Sequence, residues 1–485
     1  MQVLDVLIIG SGFGGQCSAI RLKKAGIENF HILERRSFPG GTWCQNTYPG
    51  AAVDVQSPLY SFSFEPYPWS QMFAEQNELE QYTKDILSKY DLNSKTTLNA
   101  NVNAVHWDEA EKHWVVQTND GSTYRAKFVI NCSGPLSMPS IPDFKGRDTF
   151  AGTSFHTNDW QHDYDFKGKR VAIIGSGASA AQIIPAIVSD VAQLHVFQRT
   201  PHWVMPRHDR VFTPSQRKWL SKHWAYKALR ASIYWGLETR VVGFKYSQRL
   251  LKLFAQDKAM RHLKKQIKDP ELRQKLTPDY TIGCKRIILS STLYPALSQA
   301  HTTLYDKNQG IAQITPTGIT TMDGREVALD LIIYSTGYDA TDGAVPYPIV
   351  GRDNASVQQF WSEFPRAYLG TTMPNLPNFF LMIGPNTGIG HTSAIFIMEA
   401  QSNYITECIA HILKNKLSTV EVKPEAEDKY TTMIHSEMKK TVWAKGGCHS
   451  WYQSKSGHVI AMFPGFSFSY RNLTRHVKWD DHIVS

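Results

Sequence analysis

No stretch of the 485-residue chain approaches the roughly twenty consecutive apolar residues of a membrane-spanning helix, so no stable membrane insertion is expected. The opening "MQVLDVLIIGSGFGG" enters a strand with no basic segment ahead of it, and the chain reads as soluble, unexported and cytoplasmic. Its six cysteines (17, 44, 132, 284, 408 and 448) form no CxxC pair and no Cys/His cluster at metal-ligand spacing. Free thiols in a reducing compartment and no metal site are the expectation. Low-complexity tracts are missing too, and 42% apolar residues with 23 Phe, 21 Tyr and 13 Trp exclude disorder. A chain of this length is expected to fold as more than one domain.

Acidic residues are scarce in one place. The formal net charge is +9, yet between Arg217 and Lys275 sixteen Lys or Arg face four Asp or Glu, a surplus of twelve, and the rest is slightly acidic. A charge confined to one segment does not make a nucleic-acid-binding protein, and no nucleic-acid partner is expected. That segment, about residues 214–278, is also aromatic and helical in pattern. It reads as an inserted cap whose aromatics pack on a nucleotide domain while its lysines stay solvated; a membrane-surface or polyanion face is the alternative.

What is present begins with "VLDVLIIGSGFGG", a buried-type strand running into a glycine turn, then "QCSAIRLKKAG" with helical periodicity and "NFHILERR" as a second strand. In this βαβ unit Gly10, Gly12 and Gly15 give GxGxxG, with Phe13 opening the helix. Glycines there let backbone approach a pyrophosphate. Glu34, nineteen residues after Gly15, stands where an acid binds a ribose hydroxyl. GxGxxG alone is weak; strand, helix and acid together specify a dinucleotide site.

The pattern returns in "KRVAIIGSGASAAQIIPAI", where Gly175, Gly177 and Ala180 give GxGxxA around Ala178 and Ser179, followed by the strand "QLHVFQRT". This strand ends in Arg199 and Thr200 where the first unit has Glu34. Cation and hydroxyl suit a 2′-phosphate that an acid would repel. FAD is therefore expected at the first site and NADPH at the second.

The expected fold is α/β, with two Rossmann-like dinucleotide-binding domains (FAD and NADPH) and a helical insertion. Residues 1–145 and 341–485 form the two parts of the FAD domain, and 146–340 the NADPH domain with its insert at about 214–278. Crossings between them are expected at "VINCSGPLSMPSIP" and "ALDLIIYSTGYDA". The chain returns through "PNFFLMIGPNTGIGHTSAIFIMEAQ", whose glycine loop and helix can present N–H groups to a flavin ring.

Two such domains imply that electrons pass from NADPH to flavin. A disulfide reductase would need a CxxC; an oxidase would discard the electrons to O2; a monooxygenase would spend them on a substrate. Here the sequence resembles a known family. "FAGTSFHTNDW" matches FxGxxxHxxxW through Phe150, Gly152, His156 and Trp160, the motif of the Baeyer–Villiger monooxygenases. "GTWCQNTYPGAAVD" is similar to their second motif, and "VFQRTPHWVMPR", "GCKR", "GPNTGIGHTS" and a later "GCHSWY" are similar to further family segments. Gln161 follows the tryptophan where relatives commonly carry Pro or Asp.

The resemblance implies oxygen insertion beside a ketone carbonyl by way of a flavin C4a-peroxide, consuming O2 and giving an ester or lactone. Arg286 would be the cation holding the peroxyanion and Asp54 the acid orienting it. Lys285 would join Arg199 and Thr200 on the NADPH phosphate. Thr42, Trp43, Asp54 and Tyr60 would contact or flank the flavin, and the backbone of Val102 would meet the adenine. His156 and Trp160 would couple domain movement to cofactor binding. A related class oxidises sulfides or amines and needs no peroxyanion; it is the first alternative, and a redox protein with a lipid- or polyanion-binding insert is the second.

Overall fold

A computed structural model describes residues 3–339 and 345–485, so the boundary expected at 340/341 lies outside the described residues. The strands and helices that position the site are β1 (Leu4–Ile9), α1 (Phe13–Lys24), β2 (Phe30–Leu33), β3 (Thr96–Thr97), β4 (Val102–Asp108), β5 (His113–Thr118) and β6 (Thr123–Asn131). Next come β7 (Thr153–His156), β8 (Arg170–Ile174), α2 (Ala178–Ile187), β9 (Gln193–Phe197), α3 (His223–Glu238), β10 (Thr302–Tyr305) and β11 (Leu331–Tyr334). The C-terminal part adds β12 (Ile349–Val350), β13 (Phe379–Leu381) and α4 (Ala394–Lys414).

Two sheets result. The first has eight strands in the order β12-β4-β5-β6-β1-β2-β3, with β13 also paired to β6; β1 runs parallel to both β2 and β6. The second has the order β10-β9-β8-β11-β7, and every pair in it is parallel. Parallel strands are covered on both faces and need unbroken apolar runs. "VLII" in β1, "VAII" in β8 and "LIIY" in β11 meet this demand, and all are buried. β12 and β13 return the C-terminal chain to the first sheet.

Each sheet ends in the same turn. Gly10 (φ +104°) and Gly175 (φ +125°) hold a backbone conformation that side chains resist. A Cβ on Gly10 would lie 2.8 Å from the carbonyl carbon of Cys132, and one on Gly175 2.8 Å from that of Ser335. The glycines thus let β1 and β8 turn against the ends of β6 and β11.

Residues 214–275 form helices, two of their segments, Val242–Tyr246 and Lys252–Gln256, being single π-helical turns. The expectation that this segment's aromatics pack inward holds for Tyr226 and Phe244, which are buried, and fails for Trp219, Trp224, Trp235, Tyr246 and Phe254, which are exposed. Among the described residues no helix is long and apolar enough to cross a membrane.

The free-thiol expectation needs correction. Cys284 and Cys448 form a disulfide, their Cα atoms 6.1 Å apart across a sequence separation of 164; Cys17, Cys44, Cys132 and Cys408 are free and buried. Distance in sequence hid a pairing that the fold creates. Titration of the denatured, unreduced chain should count four thiols, and six would remove the bond. Cys448→Ser should cost roughly 2–4 kcal/mol of stability in chemical denaturation, because closing a long loop restricts the unfolded chain.

Candidate active site

The first glycine loop opens α1 with Gly12 as a cap lacking any side-chain hydrogen bond, and Gly177 stands likewise before α2. Both helices therefore begin with free N–H groups and the positive end of their dipole, the physical basis of pyrophosphate binding. A Cβ on Gly41 would lie 2.7 Å from the Cα of Gly12, so the second-motif loop closes tightly over the first. Gly15 packs on the carbonyl of Gly10, and Phe13 and Ala180 are buried beneath their loops. Buried hydroxyls of Ser133 beside Gly10 and Ser335 beside Gly175 lack hydrogen-bond partners among the described residues. These cradles and unpaired donors fit two dinucleotides.

Glu34, buried at the end of β2, accepts from the Ser11 amide (3.0 Å), the Ser11 hydroxyl (2.7 Å) and the Arg36 amide (3.0 Å). Its own backbone carbonyl takes the Ala100 amide, which brings the start of β4, and with it Val102, to the same end of the sheet. Trp43, in the helical turn Thr42–Gln45, donates to the Tyr60 hydroxyl (3.2 Å), their rings 5.8 Å apart edge to face. Thr42 is exposed at the start of that turn.

Asp54 ends the second-motif loop and meets Arg286 in a bidentate pair, Nε to Oδ2 at 2.6 Å and the terminal nitrogen to Oδ1 at 2.5 Å. The guanidinium lines a cleft with Asp54, and 43% of the Arg286 side-chain surface is exposed. Asp54 raises its pKa against the opposing effect of burial, so the cation is permanent. The cleft is also lined by Ala178, Gln182 and Leu289, which sets Arg286 beside the opening turn of α2. Gln182 on α2 accepts from the Tyr48 hydroxyl (3.0 Å) and donates to the Ala52 carbonyl (2.8 Å), pinning the Asp54 loop to the second nucleotide helix.

Val204–Met205 and Ile288–Leu289 pair as short parallel strands, which brings together the segments that follow Arg199 and Lys285. Burial first, then the like charge of Arg199, lowers the pKa of Lys285. Two cations held together suit an anion between them. Thr200 closes the group, its carbonyl accepting from Ser176 in the second loop (2.9 Å). His202 stands next to both functions: the Arg286 backbone lies against it, while burial and then Lys285 push its pKa down to about 4.

The FxGxxxHxxxW residues occupy the edge of the second sheet. Phe150 packs over Gly152, where a Cβ would lie 2.6 Å from its ring. His156 ends β7, accepts from the Asn158 amide (3.0 Å) and lies edge to face with Tyr338 at 5.7 Å. The Tyr338 hydroxyl sits between the side chains of Asn46 (2.8 Å) and Asn158 (3.0 Å), joining the second motif to the first. Trp160, partly buried, packs edge to face on Phe155 against the apolar core of the second sheet.

Sequence reasoning missed Gln182, His202, Tyr338 and Tyr452. Tyr452 is buried, and its pKa is raised to about 12 by burial, with Arg286 opposing and Asp54 adding to the rise. "GCHSWY" and "RTPHW" were the available signals for Tyr452 and His202; Gln182 and Tyr338 carried none.

Residues 7–231 match the model of the pyridine nucleotide-disulphide oxidoreductase family. The chain is 43% identical over 473 residues to a Baeyer-Villiger monooxygenase of Pseudomonas aeruginosa, covering 97% of this chain and 89% of that protein. It is 40% identical over 482 residues to a Baeyer-Villiger monooxygenase of Streptomyces coelicolor, covering 99% and 92%. Among solved structures, OTEMO in complex with FAD and NADP superposes with a TM-score of 0.91 at 26% identity over 100% of both chains. Closed cyclohexanone monooxygenase gives 0.89 at 27% identity, over 100% of this chain and 99% of that one.

Because His202 is kept neutral when folded, the unfolded chain binds a proton as pH falls below the ordinary 6.5 while the folded site resists until about 4. Stability should therefore decline across that window and be untouched by this group above it. His202→Asn should flatten the decline in thermal melts between about pH 7 and about pH 5; curves parallel to wild type would remove the assignment.

Proposed function

The chain belongs to the Baeyer–Villiger monooxygenases, NADPH-dependent flavoenzymes that insert an oxygen atom from O2 beside a ketone carbonyl, and we propose that Arg286, held by Asp54, is the cation on which the insertion depends. The bidentate pair in a cleft beside α2 carries this reading. FAD, when bound, supplies electron uptake from NADPH and the activation of O2.

Gly10, Gly12, Phe13 and Gly15 would hold the FAD pyrophosphate, Glu34 its ribose and Val102 its adenine, with Thr42, Trp43, Asp54 and Tyr60 at the flavin end. The loop Gly175–Ala180 would hold the NADPH pyrophosphate, and Arg199, Thr200 and Lys285 its 2′-phosphate. Arg286 stays protonated and presents a rigid donor fork, so it stabilises negative charge on oxygen without giving up a proton. At roughly 4 Å and an effective dielectric near 20 a unit charge is worth about 4 kcal/mol, or about three pKa units. Asp54 fixes the fork's orientation and tempers its field. His156 and Trp160 brace the link between the two sheets, supported by the Tyr338 bridge to Asn46.

We assign residues 1–145 and 341–485 to FAD binding and 146–340 to NADPH binding, in keeping with the return of β12 and β13 to the first sheet. A cytoplasmic location accords with the demand for NADPH, a small-molecule ketone is the substrate, and no nucleic-acid partner is inferred.

Arg286→Ala should still be reduced by NADPH yet form ester about a thousandfold more slowly, the reducing equivalents appearing as H2O2. Ester formation near the wild-type rate, measured by gas chromatography, would refute the role. Arg199→Ala should raise KM for NADPH by roughly ten- to a hundredfold and leave KM for NADH almost unchanged. Equal effects on the two would remove the phosphate assignment.

A further inference from the structure

Helix α3 is apolar on two sides. Inward, Arg230 donates to the carbonyls of Pro58 (2.7 Å), Leu59 (3.1 Å) and Ser61 (2.9 Å), Tyr226 bonds Ser61, and Tyr234 stacks on Phe396 at 5.1 Å. Outward, Trp224, Ala228, Ala231 and Trp235 recur at helical spacing on one exposed stripe, the two tryptophans 62% and 58% exposed. Trp219 extends it, edge to face with Trp224 at 5.4 Å.

The chain after α3 joins this face through aromatic contacts, Trp235 packing on Phe468 at 6.0 Å, Phe468 on Phe466 at 4.9 Å and Phe466 on Tyr246 at 6.4 Å. Tyr246, Leu250, Leu253 and Phe254 are all exposed, Phe254 at 70%. Large apolar side chains gathered on one exposed face mark a binding surface, whereas scattered ones do not.

Charge decides the occupant. Residues 214–256 contain nine Lys or Arg and one acid, Glu238, which is buried. Lys218, Lys222, Lys227, Arg249 and Lys252 are exposed and enter no ion pair among the described residues. A second copy of this face would meet it with like charge. A nucleic acid would satisfy the cations and leave Leu250, Leu253 and Phe254 without apolar contact. A bilayer surface bearing anionic headgroups satisfies both: aromatics at the headgroup level, aliphatic side chains at the acyl boundary, lysine stems lying along the apolar surface with their ammonium groups on phosphate.

We propose that this face, Trp219 to Phe254, seats the enzyme peripherally on anionic membranes. It goes beyond the reaction and does not depend on it.

The FAD-loaded enzyme would be sedimented with large vesicles of phosphatidylcholine alone or mixed with phosphatidylglycerol. Binding to the mixed vesicles at low salt is expected, with little to phosphatidylcholine and steep loss as salt rises. Lys227→Ala should lower the partition coefficient roughly fivefold, and Trp224→Ser with Trp235→Ser should abolish binding while the flavin spectrum shows a folded enzyme. No binding to the mixed vesicles at low salt overturns the proposal. So does binding indifferent to the tryptophan substitutions, or self-association in light scattering that those substitutions abolish, which would make a second copy the occupant. If the tryptophan variants fail to fold, the effect of Lys227→Ala decides.

Discussion

The guanidinium of Arg286 and the carboxylate of Asp54 meet across 232 residues of chain, and much of the surrounding structure holds that meeting in place. The Asp54 side is fixed by Tyr48, Gln182 and Ala52 against the second nucleotide helix; the Arg286 side is fixed by the strand that follows it, Ile288–Leu289, paired with Val204–Met205. A fork that must face a developing anion cannot be free to rotate, and two hydrogen bonds to one carboxylate are an economical way to stop it. The same carboxylate keeps the net field of the pair modest, so the cleft can open to water without an isolated charge at its base.

Anion chemistry unites the rest. Both glycine loops offer uncapped helix starts; one then presents an acid and the other two cations. The backbone turn is the same in both, and in the reading proposed above the residue at the end of the following strand selects between a ribose hydroxyl and a phosphate. Arg286 lies next to the second loop, so one short region of the chain, Cys284 to Arg286, carries a disulfide, a cation that feels the charge of Arg199 and a cation paired with Asp54.

Much of the fold was legible in sequence because its causes are local. Unbroken Val/Ile/Leu runs announce parallel strands, and glycines at positive φ announce the turns that end them. The Asp54–Arg286 contact has no local signal; only the likeness of "GCKR" and "GTWCQNTYPGAAVD" to a family's motifs pointed to it. The disulfide was invisible for the same reason, since cysteines 164 residues apart declare nothing about distance. The outward tryptophans of α3 escaped for another reason. A helix apolar on both sides reads as buried, and periodicity tells where faces are but not which one the core takes.

The Cys284–Cys448 bond closes a covalent ring that contains β10, β11, β12, β13 and α4, and therefore the strands of both sheets that come latest in the sequence. A backbone cut anywhere in that ring leaves its two ends on one molecule, so the segment bearing Arg286 and the segment bearing Tyr452 stay tethered after the chain between them is severed. Separating the two segments therefore takes reduction of the Cys284–Cys448 bond as well as the cut.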